Sequence, residues 1–262
     1  MMRPSQIALT TFYWAFIVYL FLPLALMVVM GFKDSNFIGF PINAWTTRWY
    51  VQVFQDTAVL HAFGYTLLIA IASTLLSLVI GIWCAVFLGP ARFWGRALVF
   101  AVMCLPAVIP GVISAISMRI FIRAIGMEPG TGAIILGLTI HNVPFVALMV
   151  LSRLGAMPRS QVEAARDLGA DSLVAFLRVT LPFLFPSLLG ASIFCMLLSF
   201  DDFVRAFFLG GYQPTLPVLI FAELRSGMSP AINAISTVVL VVTAALGLWA
   251  ERGTRRLKGT RR

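Results

Sequence analysis

Apolar residues run through this chain in six long blocks separated by charge-bearing intervals. Stretches free of Asp, Glu, Lys and Arg cover 4–32, 57–91, 97–118, 129–152, 179–200 and 226–250, each at least 22 residues long. Roughly 20 apolar residues cross the hydrocarbon core as a helix. Lipid requires the backbone to bond to itself, and no block alternates as a barrel strand does. The pattern predicts an all-α polytopic membrane protein with six transmembrane helices, at about 12–31, 63–88, 97–117, 132–152, 184–208 and 231–250. Composition agrees: 60% of residues are hydrophobic and 11% charged, with a mean hydropathy of +0.97, too apolar for a soluble domain. The whole chain, 1–262, reads as a single membrane domain.

Charge sets the expected sidedness. Six spans place both termini on one side, and that side carries 13 of the 19 Lys and Arg residues. Positive residues favour the cytoplasm, so both termini and the long loop 153–183 are expected there. The net charge of +9 then follows from this bias and from headgroup contact by the basic tail 251–262, with no nucleic acid implied. The first block is long for a signal peptide and lacks a cleavage pattern, so it is expected to remain as a span. Cys84, Cys104 and Cys195 lie inside spans without paired spacing and read as packing residues.

Prolines mark irregularities within the spans. LPAVIPG, with Pro106, Pro110 and Gly111, predicts a kink in the third span. HNVP places His141 and Asn142 just before a break expected at Pro144. The outer segment 32–62 reads as a partly interfacial loop holding Trp45, Trp49 and Tyr50.

The loop QVEAARDLGADSLVAFLRVTLP, 161–182, is unusually polar for this chain. Ser160 and Glu163 have capping-box spacing, Gly169 suits a left-handed helix end, and Asp171 can cap a second helix. Leu173, Phe176, Leu177 and Leu181 are expected on one face, and Pro182 to close the unit. Such a hairpin can dock a soluble partner or seat on lipid, and the physics alone favours neither.

Its residues narrow the choice. Glu163-Ala164-Ala165, then Gly169, Val179 and Leu181-Pro182, resemble the EAA motif of ABC importer permeases, with Val179 where Ile is common. That resemblance implies a type I importer fold and a coupling helix inserted into a cytoplasmic ATPase. Glu163, Ala164, Ala165, Asp167, Gly169 and Pro182 are the implied ATPase-coupling residues. The sequence has no GxxxxGK[ST] phosphate loop, so ATP and Mg are expected on a separate ATPase dimer, with no cofactor and no catalytic residue in this chain.

A second polar cluster lies in SFDDFVRAFFLGG, 199–211. Asp201, Asp202 and Arg205 fall within an expected span, where ionisable groups are costly and are functional or paired. Either an acid pairs with Arg205 across one turn, or the cluster lines a solute path. His141 and Asn142 are weaker path candidates; a structural hydrogen bond beside Pro144 is the competing role, and a metal site has no partner residues.

From this segment through TLPVLIFAELRSGMSPAINA, and at TTRWY, the chain is similar to the second permease chain of spermidine/putrescine importers. The similarity implies a bacterial inner-membrane permease working with a second, different permease chain and an extracytoplasmic solute-binding protein. A polyamine is the implied solute. Gly111 and Arg205 depart from that pattern by removing negative charge, which raises an opine, amino acid or phosphonate-like solute as the alternative. A stand-alone channel or intramembrane enzyme is the rival from another class. His61 and His141 are far apart, however, and both lysines lie outside the spans, so no catalytic constellation supports it.

Overall fold

The computed structural model describes residues 4–35, 39–89, 94–227 and 230–259. Its elements are helices: α1 Pro4–Met30, α2 Arg48–Gln55, α3 Thr57–Leu88, α4 Arg96–Val108, α5 Gly111–Ala124, α6 Thr131–Gly155, α7 Arg159–Asp167, α8 Ser172–Ala175, a π-turn Phe176–Thr180, α9 Leu181–Phe200, α10 Phe203–Leu209, α11 Leu216–Ser226 and α12 Pro230–Gly259. Extended pairing among the described residues is one isolated bridge, Lys33 to Trp45. Four of these helices are long and apolar enough to cross a bilayer, or five with the bent pair α4–α5. The sixth expected span falls in α12, whose apolar part is the shorter Pro230–Ala245. Arg3, Arg92, Arg261 and Arg262, used in the charge count, lie outside the described residues.

Two compact units emerge, one from 1–61 and 219–244, the other from 62–218 and 245–262. In the first, the window of α1 that could span a membrane has no buried residue. After it, the described residues between α1 and α3 are more structured than the loop expected there. Trp49 Nε1 donates to the Lys33 carbonyl at 2.9 Å, Arg48 meets Asp34 at 3.1 Å, and Phe32 packs on Tyr50. Asp56 Oδ1 accepts from the backbone N–H of Ala58 at 2.8 Å. That cap starts α3 at Thr57, six residues before the position expected from the apolar run.

In the second unit, α3, α6 and α9 share a core of Ala85, Val146, Val150, Leu184, Ala191 and Cys195. Gly81 permits the approach of α3 to α6, since a Cβ there would lie 2.6 Å from Val146 Cβ. A second core joins Ile69, Ile122, Ala133, Ile134, Leu138, Ala206 and Leu209.

Three expectations need correction. The third span is a break of 106° between α4 and α5 rather than a kink. Ile109 and Pro110 are both extended there, because neither proline can donate and the residue before a proline disfavours helix. Pro144 breaks nothing: α6 runs through it, with Val143, Pro144, Val146 and Ala147 all buried. The fifth span, expected to reach 208, stops at Phe200 and restarts at Phe203.

Candidate functional site

The polar hairpin is closed largely by its own backbone. Pro158, extended at φ −63° and ψ 126°, launches α7 at Arg159 without a side-chain cap. Ser160 is therefore already inside the first turn, so the expected Ser160–Glu163 capping box does not form. The other end forms as expected. Gly169 takes φ +85°, Ala170 N–H donates to the Ala165 carbonyl at 3.0 Å, and Gly169 N–H to that of Arg166 at 2.9 Å. These two bonds make a complete Schellman terminus. Asp171 then caps α8, accepting from Val174 N–H at 2.6 Å.

Pro182 does not close the second helix. Helical backbone continues from Ser172 to Phe200 through the π-turn, in which Leu181 N–H reaches the Phe176 carbonyl. A residue without an N–H cannot satisfy the carbonyl four residues back, and the wider turn ahead of Pro182 fits that loss. At the hairpin base, Arg153 lies 4.1 Å over the Phe183 ring and its Nε donates to the Phe183 carbonyl at 3.3 Å.

Glu163, Ala164, Asp167, Gly169 and Pro182 are exposed, and Ala165 is half-buried. The expected apolar face is divided: Leu173 and Leu177 point outward, whereas Phe176 and Leu181 are half-buried. Leu168, absent from the candidates, is 89% exposed at the hairpin tip. Its signal was available as an apolar residue directly before a helix-ending glycine.

The second cluster sits where α9 gives way to α10. Asp201 ends α9 as its C-cap and is exposed. Asp202 caps α10, its Oδ1 accepting from Arg205 N–H at 2.7 Å, while its Oδ2 pairs with Arg205 Nη1. The pairing alternative is thus realised by Asp202, leaving Asp201 without an ion pair among the described residues. Arg205 is only 4% exposed. It lines a cavity of about 310 Å³ with Pro106, Ile109, Ile113, Ser114, Ser117 and Gly137 among its neighbours. Gly137 makes room for this turn, because a Cβ there would strike Leu209.

His141 and Asn142 have separate surroundings. His141 Nδ1 lies 3.2 Å from the Pro106 carbonyl. In a continuous helix that carbonyl would receive the N–H of residue 110, which is proline, so the imidazole N–H donates in its place. The expected structural hydrogen bond exists, but it reaches across to α4 rather than along α6. Asn142 is fully buried, and its Nδ2 donates to Ser199 Oγ at 2.7 Å. Ser199 also receives Ser73 Oγ at 3.1 Å, so α3, α6 and α9 meet through these three polar side chains.

Known proteins carry the same chain plan. The family described as binding-protein-dependent transport system inner membrane component matches residues 77–258. The putrescine transport system permease protein PotI of Escherichia coli (strain K12) is 32% identical over 240 residues, covering 88% of this chain and 85% of that protein. The spermidine/putrescine transport system permease protein PotC of the same strain is 29% identical over 236 residues, covering 90% and 89%. A crystal structure of a bacterial ABC transporter that imports the acidic polysaccharide alginate contains a chain with a TM-score of 0.76, at 19% identity and 96% and 94% coverage. At that identity the likeness concerns the fold.

Proposed function

The chain belongs to the binding-protein-dependent transport system inner membrane components, and from that premise we propose that it forms half of an ATP-driven path for a small organic solute. It is a permease subunit of an ABC importer in the bacterial inner membrane and is not itself an enzyme. The other half of the path belongs to a second, different permease chain. An extracytoplasmic binding protein delivers the solute. ATP and Mg bind an ATPase dimer on the side where loop 153–183 and both termini lie.

The observation that carries this reading is the hairpin. Gly169 and Asp171 fix its shape locally, while Glu163, Ala164 and Leu168 stay exposed. A preformed, small-residue helix with an apolar tip suits insertion into a protein groove. Movement of the ATPase can then be passed through the π-turn into α9, which ends at Asp201. ATP can bias the path only through contacts that differ between its two states, and this hairpin supplies such contacts. Glu163, Ala164, Ala165, Asp167, Gly169 and Pro182 are assigned to coupling.

Polyamine is the solute type favoured by the names of the relatives, and exposed Asp201 is the residue offered to an ammonium group. An opine, amino acid or phosphonate-like solute is the second reading, favoured by the neutralisation of Asp202 by Arg205. The test is purification of the tagged chain with its membrane partners, followed by uptake of putrescine and 4-aminobutanoate in proteoliposomes. Co-purification of an ATPase and uptake that needs ATP are expected. A chain that purifies alone and transports without ATP would refute the importer reading.

A further inference from the structure

We infer that Arg205 is a specificity-determining residue that receives an oxygen acceptor of the solute, so that the transported molecule carries a carboxylate or amide carbonyl as well as an amine. The inference rests on the reading of the 199–211 turn as part of an importer path. Arg205 is 4% exposed, and Asp202 occupies only its Nη1. Nη2 is buried with no acceptor among the described residues. A guanidinium presents several donors in a fixed plane, and one left buried without a partner is costly enough to need an explanation.

The surroundings point toward a ligand. Arg205 lines the 310 Å³ cavity whose neighbouring polar side chains are the hydroxyls of Ser114 and Ser117. That volume lies at the lower end of the range for small-molecule sites, roughly 300–1,000 Å³. It is walled by the broken segment Pro106–Ile109, by α5 and by α10, the places where sequence chemistry interrupts the helices.

Charge argues the same way. Asp202 and Arg205 together contribute no net charge, and Arg119, from α5, donates to the Phe208 carbonyl at 2.7 Å. The cavity wall therefore offers no unpaired carboxylate to a solute that is cationic at both ends. Asp201, one residue before the pair, remains for a single ammonium group. An Arg donor and a nearby free Asp match a molecule with an acceptor and an amine.

The measurement is ATP-dependent uptake by the complete complex with its own binding protein. Three matched probes are used: putrescine, 4-aminobutanoate, in which a carboxylate replaces one ammonium group, and monoacetylputrescine, in which an amide carbonyl is added. Each variant is compared with the unaltered complex, so that selectivity imposed by the binding protein cancels. Arg205→Gln is expected to lower uptake of at least one acceptor-bearing probe relative to putrescine by about tenfold, the range for losing one charged hydrogen bond. Arg205→Lys should restore part of that ratio, and the preferred probe tells carboxylate from carbonyl.

A purely structural role would change all three rates together and leave the ratio fixed. Should Arg205→Gln disturb assembly, the ratio is read in Ser117→Ala, where a shift against the acceptor-bearing probes is likewise expected. Preferential uptake of putrescine by the unaltered complex, with ratios unmoved by the variants, overturns the inference while leaving the importer reading intact. Absence of ATP-dependent uptake for all three probes by a complex that retains its ATPase overturns the inference alone, and a chain that purifies without an ATPase overturns both.

Discussion

At the scale of single residues, the buried polar side chains near the break divide between structure and solute. Asn142 is wholly enclosed and ties α6 to α9 through Ser199. Asn142→Ala should lower stability by about 1 kcal/mol, in keeping with interhelical hydrogen bonds in membranes. The check is the apparent Tm of the detergent-solubilised complex, which should fall while relative uptake of different solutes stays unchanged. His141 shows why some of this was visible in the sequence and some was not. The LPAVIPG motif reveals that two carbonyls lose their usual donors, because both prolines lack an N–H. That His141 supplies one donor depends on α6 lying beside α4, which local spacing does not encode. The same holds for Asp202. Its separation from Arg205 suggested a pair, whereas its role as the cap of a separate helix emerged only once α9 was seen to end at Phe200.

At the scale of elements, local chemistry was legible at some helix boundaries and not at others. Gly169 and Asp171 act through backbone groups one to five residues away, and both behave as their types require. Ser160 lost its capping role because Pro158 already supplies an extended residue from which α7 begins. Pro144 lies in a helix buried along that stretch, where packing on both sides sustains the helix, while Pro106 and Pro110 are followed by Gly111 and give a 106° bend. Asp171→Ala removes the cap of α8 and should cost about 1 kcal/mol of local stability. Limited proteolysis of the purified complex should then cut faster within residues 168–175, and an unchanged cleavage rate would show the cap to be dispensable.

At the scale of the whole molecule, the alternation of apolar blocks and charged intervals was enough to give the membrane class and the helical fold. It could not give the angle of the bent pair, since prolines mark a break without setting its direction. The family match covers 77–258 and so includes both the hairpin and the Asp201–Arg205 turn. The account makes the hairpin the site where force enters and the Asp201–Arg205 turn the site where the solute is sensed. Its central claim is coupling through α7, and Gly169→Val tests this most directly. A β-branched residue at φ +85° is strained by about 1–3 kcal/mol, enough to shift the hairpin without altering any span. In proteoliposomes, solute taken up per ATP hydrolysed should fall about tenfold or more, with membrane insertion normal. Uptake per ATP equal to that of the unaltered complex would contradict the account.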